Sequence, residues 1–196
     1  AKGGTGDKAT LIDLNSNYTA FHVTRYVTGG TNRRIMSTSS TNSNWISGHY
    51  NGTFKCAHHQ SWLTTSGCSS SNLYRWLLST DQLRYYRADG VDVTLNPDDA
   101  SYLANQTLYS GFGVNNDWNG QTSSWEMADL IVFNKRLSQY EISLMESYLA
   151  SIYGLSIAAS PTYSETDTAI SFNGSQYFYG FYQNDFTFDD TFTLES

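Results

Sequence analysis

The chain has 196 residues, of which 15% are aromatic and only 15% charged, and its net charge is −7. That length suits a single all-β domain able to bury its own core. A charged fraction well below the roughly 25% of soluble domains leaves a surface of Ser, Thr, Asn and Gly, as in secreted sandwiches rather than cytosolic enzymes. With 11 Lys and Arg and no basic run longer than a pair such as Arg33-Arg34, the face that nucleic acid requires is missing, and no apolar stretch reaches the 18 residues of a membrane span.

The chain opens AKGGTGDKAT, which reads as a processed or truncated start with no signal peptide. Period-two segments follow. In ATLIDL, Leu11 and Asp13 alternate with Ile12 and Leu14; in YTAFHVTRYV, Phe21, Val23 and Arg25 face one side and Ala20, His22, Thr24 and Tyr26 the other. Polar loops are expected near residues 37–72 and 96–124. Cys56 and Cys68 have the spacing of a disulfide across a hairpin or wide loop in an oxidising compartment, the alternative being two free buried thiols. LYRWLLST and LRYYRADGVDV are further strand-like runs, and Asp89-Gly90 marks a type I′ hairpin turn, which needs positive φ at both central residues. ADLIVF (128–133) is a continuous apolar run of strand length, suited to burial on both faces. Ser138-x-x-Glu141 is a capping box, Ile142, Met145, Leu149 and Ile152 make one stripe, and Gly154 closes a helix over 138–153.

The run WEMADLIVFNKRLSQYEISLMESYLASIYGL, with FHVTRY, NRRIMS, NWISGHYNG and YRADGVDV upstream, resembles the laminin-G-like, concanavalin-A-like lectin-glucanase jelly rolls over about residues 9–155. The resemblance implies an antiparallel jelly-roll β-sandwich with one short helix, spanning residues 1–160, and a C-terminal β-strand extension over 161–196. It does not choose a function, since lectins, receptor modules, adhesins and glycosidases share the fold.

Catalysis by a jelly-roll glycosidase needs two carboxyls flanking the bond. Only five Glu occur, none in an alternating acidic pattern, and Glu126 and Asp129, three apart, are expected on opposite faces of a strand. His58-His59 diverge if extended. The chain is therefore expected not to be an enzyme and to require no cofactor. Asn115, Asp117, Asn119, Gly120 and Glu126 match the spacing of a calcium loop with Asn for the first Asp, whose alternate oxygens can converge on the ion; the competing reading is an Asn/Gly-rich turn. Trp62 and Trp118 are candidate platforms for stacking sugars, against the alternative of core tryptophans. Asn17, Asn51, Asn105 and Asn173 are N-glycosylation sequons, a number that chance supplies in so Asn-, Ser- and Thr-rich a chain.

The tail carries the sharpest expectation. Ile170 and Phe172, Phe186 and Phe188, and Phe192 and Leu194 each alternate with polar residues, so these are half-buried strands in need of a sheet. They resemble the opening strands of the same fold, here placed last, while the front of the chain lacks that opening. The tail could complete its own domain, begin a second one, or fill the vacancy in a neighbouring copy as a donor strand. In the third case Tyr177, Tyr179 and Phe181 add aromatic area, and an interface that does not close makes a filament. The expected function is an extracellular, self-assembling structural or adhesive subunit whose partners are other copies of itself; the alternative is a carbohydrate-binding, lectin-like module, with or without calcium.

Overall fold

The computed structural model describes residues 1–39, 44–64, 68–95, 108–116, 120–158 and 177–179. Two antiparallel sheets face each other. One has the order β1 (Lys2–Gly3), β11 (Trp125–Phe133), β3 (Thr19–Tyr26), β7 (Leu77–Gln82), β8 (Tyr85–Ala88), β9 (Val91–Asp92). The other runs β2 (Ala9–Asn15), β10 (Leu108–Val114), β4 (Met36–Ser37), β5 (Trp45–Tyr50), β6 (Thr53–His59). A twelfth strand, β12 (Tyr177–Tyr179), adds to β11, and α1 (Gln139–Tyr153) is the one helix among the described residues. The all-β sandwich expected from the alternation is what forms.

Both faces of the first sheet are covered, which explains its apolar strands. Ala20 and Tyr26 of β3, and Met127, Leu130 and Val132 of β11, meet Leu14, Met36, Trp45, Phe112 and Val114 between the sheets. Phe21, Val23, Leu78, Ile131 and Phe133 point the other way, onto Ile142, Met145 and Leu149 of α1. The run 128–133 is thus buried on both sides, as its composition requires.

Helix α1 starts and stops on the signals in its sequence. The Ser138 hydroxyl accepts from the Glu141 amide, and the Glu141 carboxylate accepts from the Ser138 amide at 2.7 Å. Gly154 adopts the left-handed conformation (φ 61°, ψ 37°), and its N–H donates to the Ala150 carbonyl. The stripe needs one correction: Ile152 is 52% exposed, and Tyr153 is the half-buried residue of the last turn, because 3.6-residue periodicity rotates position 152 off the sheet. A buried ion pair pins the helix down. Glu146 (1% exposed) accepts two bonds from Arg87 Nε at 2.9 and 3.1 Å and one from the Thr80 hydroxyl at 2.7 Å.

The Asp89-Gly90 turn has φ of 51° and 77° and joins β8 to β9. The expected loops at 37–72 and 96–124, by contrast, contain β5, β6 and β10. Their hydropathy hid them, because the half of the core between β3 and β5 is polar: His22, Thr24, Ser47, His49 and Ser79 are all fully buried. Cys56 of β6 and Cys68 form a disulfide, with Cα atoms 5.4 Å apart.

Candidate functional site

The outer edge of β11 is where segments from distant parts of the chain meet. Strand β3 covers one edge of β11. On the other edge, β1 pairs only at Lys2↔Glu126 and Gly3↔Trp125, so this edge has a partner at the front of the chain after all. Further along, the same edge holds β12, in the register Val132↔Tyr177, Ile131↔Phe178, Leu130↔Tyr179. Two segments from opposite ends of the sequence thus share one edge, end to end. Next to it, Ile12 and Leu14 of β2, the edge strand of the second sheet, line an apolar slot of about 40 Å³ with Tyr18, Val132 and Phe133. Tail residues Tyr177 and Tyr179 are thereby placed by their backbone in a sheet of their own chain. Ile170, Phe172, Phe181, Phe186, Phe188, Phe192 and Leu194 lie outside the described residues.

The acceptor edge was not identified from sequence, yet a signal existed. A strand apolar on both faces is an interior strand and needs hydrogen-bonding neighbours on both edges. Strand β3 supplies only one of them.

Glu126 and Asp129 differ from expectation. A β-bulge between Met127 and Asp129 inserts Ala128, so Glu126 pairs with Arg25 and Asp129 with Val23, both on the helix side of the sheet. The two carboxyls therefore share a face. Glu126 is bound by the Arg25 guanidinium and lies 3.5 Å from Lys2 Nζ. Partial burial raises its pKa, but the Arg25 bond and charge, with Lys2, outweigh that and hold it below the usual value. Asp129 accepts from the Tyr153 hydroxyl at 3.1 Å, and burial raises its pKa.

The calcium candidates are spread among other tasks. Asn115 is fully buried: its Oδ1 accepts from the Ser123 amide at 2.6 Å, and its Nδ2 donates to the carbonyls of Gly4, Thr5 and Asp7. Glu126 would have to leave Arg25 and Lys2 to ligate an ion. Asp117 and Asn119 lie outside the described residues, among which no three His, Cys, Asp or Glu side chains gather.

Trp62 is half-buried and held edge-on by Tyr50 (centroids 5.3 Å) and His58 (4.9 Å); Trp118 lies outside the described residues. His58 and His59 do diverge. His59 is fully buried, its Nδ1 facing the Leu83 carbonyl at 2.8 Å and its Nε2 facing Asp81 at 3.1 Å, and its ring stacks on Trp45. Among the sequons, Asn17 is exposed and Asn51 is exposed at a turn with φ 45°. Asn105 and Asn173 lie outside the described residues.

No described helix is long and apolar enough to cross a membrane. No protein-family model, curated protein or solved structure matches this chain.

Proposed function

We propose that the chain is an extracellular structural or adhesive subunit that assembles head to tail, with its C-terminal strands filling the outer edge of β11 in the next copy. The observation that carries this reading is the pairing of Tyr177–Tyr179 with Leu130–Val132. An uncovered edge here would present unpaired amides and carbonyls beside core side chains, which proteins avoid. The covering segment is joined to Ala158 by residues 159–176, a stretch that spans up to about 60 Å when extended. A strand on so long a connection can make the same contacts on its own body or on another's. Exchange of such an element is a low-cost route to association, and a copy that gives at one end and receives at another need not close on itself. The Cys56–Cys68 disulfide supports an oxidising, extracellular setting.

Removing the donor tests this reading. A chain ending at Ala158 is expected to lose both thermal stability and any capacity to assemble; a synthetic peptide of residues 163–196 should restore its stability and should cap the growth of the full chain. A truncated chain that melts like the full one and ignores the peptide would contradict the proposal.

A further inference from the structure

The chain's charge is divided unevenly along its length. Residues 1–136 hold all 11 Lys and Arg against ten Asp and Glu, whereas residues 137–196 contain no Lys or Arg and eight Asp and Glu. Six of those eight, Glu165, Asp167, Asp185, Asp189, Asp190 and Glu195, follow Ala158.

Four of the body's cations gather into one band. Lys2 and Arg25 flank Glu126 at the start of β11. The Arg25 guanidinium lies 4.4 Å over the ring of Trp76, whose carbonyl accepts from Arg75 Nη1 at 2.9 Å. Arg75 in turn shares the Asp89 carboxylate with Lys55, at 2.5 and 3.1 Å, and lies 4.8 Å over the ring of Phe54. Four cations thus meet two carboxylates, leaving a positive surplus in an acidic protein, and their side chains are 28–66% exposed. Arg33 adds to the surplus. It is exposed, forms no ion pair among the described residues, and follows Asn32, whose amide donates to the Tyr74 hydroxyl next to Arg75.

The register of β12 aims the tail at this band. Tyr177 stands opposite Val132 and Tyr179 opposite Leu130, so the chain leaves Tyr179 travelling along β11 toward Glu126. Strand β1 already occupies the edge there, at Lys2↔Glu126. A strand prolonged in that direction would meet β1 at the Lys2–Arg25 end. At up to about 3.3 Å per residue, the stretch from Tyr179 to Asp185 can reach roughly 20 Å.

We propose that residues 180–196 of this chain dock on the band formed by Lys2, Arg25, Trp76, Arg75 and Lys55, with Asp185, Asp189 and Asp190 answering its surplus positive charge. Exposed ion pairs are individually weak and screened by salt. The docking works through several of them side by side, with Phe186 and Phe188 beside the half-buried Trp76. The inference rests on the β12–β11 pairing, the seat being the band beside whichever β11 the tail has joined, so it stands or falls apart from exchange between copies.

Hydrogen exchange by mass spectrometry on the full chain tests it. At low salt, amides of 180–196 are expected to exchange about tenfold more slowly than in a free peptide of that sequence, and to approach the peptide's rate at high salt. Asp185→Asn/Asp189→Asn/Asp190→Asn, which leaves the body untouched, should abolish the protection of 180–196 while Tyr177–Tyr179 stay protected. Lys2→Glu/Arg33→Glu should also weaken it, and adding Asp189→Lys/Asp190→Lys should restore it. Free-peptide rates in the wild-type chain, or protection indifferent to salt and to the Asn variants, would overturn the proposal. Loss of protection of 180–196 on dilution while Tyr177–Tyr179 stay protected would likewise overturn it.

Discussion

At the scale of single residues, the sandwich is organised around buried polar groups that its sheets hold in place. His22 Nδ1 lies 3.0 Å from the Thr24 hydroxyl and Nε2 lies 2.9 Å from the Ser47 hydroxyl. His49 sits edge-on to Tyr26, with Nδ1 at 3.4 Å from Thr24 Oγ1, while its Nε2 has no hydrogen-bond partner among the described residues. Gly48 makes this approach possible: at φ 88°, a Cβ there would stand 2.7 Å from His22 Cε1. Both imidazoles are neutral when folded. Burial lowers His22 to about 3, and burial, then the charges of His22 and Arg75, hold His49 well below its usual value. The unfolded chain binds protons on both below about pH 6.5 and the folded chain does not, so their contribution is full above that pH and is lost on acidification. Each should remove about 1 kcal/mol of stability between pH 6 and pH 5. Urea unfolding of the wild type and of His22→Gln at the two pH values checks this: the variant should lose less stability on acidification. Equal losses in the two proteins would place the acid response elsewhere.

At the scale of elements, the first sheet is held between the second sheet and α1, and the Arg87–Glu146 pair is the polar bolt of the helix layer. With Glu146 1% and Arg87 9% exposed, removing one partner leaves the other charge buried and unpaired. Glu146→Gln is expected to cost about 3 kcal/mol, read as a fall in the denaturant midpoint with the slope unchanged. A loss under about 1 kcal/mol would mean that the helix does not depend on the pair. The same layering decides what could be seen from sequence. Ser138, Glu141 and Gly154 act through their own backbone, and Asp89-Gly90 carries its turn in two residues, so both were legible. The run 128–133 is apolar on both faces because two cores demand it. Periodicity alone hides β5 and β6, because their inward residues include Ser47, His49 and His59, a pattern that mimics a polar loop until His22 and Thr24 of β3 are known, and β5 is legible only through the resemblance carried by NWISGHYNG. The bulge at Ala128 was equally hidden. Nothing local marks it, and it reverses the expected placing of Asp129 relative to Glu126.

At the scale of the whole molecule, the chain's two ends converge on one strand. The front pairs Lys2 and Gly3 with the first residues of β11, and the tail pairs Tyr177–Tyr179 with Leu130–Val132 on the same edge. The alternation of the tail was legible as a need for a sheet, but its receiving edge was not, because strand order is a property of long-range pairing rather than of any local pattern. That edge is the centre of the proposed function. The measurement that tests it most directly is multi-angle light scattering of the full chain across a wide concentration series. Head-to-tail exchange predicts a mass that climbs with concentration through multiples of 22.0 kDa without stopping at a closed dimer. A mass fixed at 22.0 kDa at every concentration would mean that β12 serves its own β11 alone, and would contradict assembly.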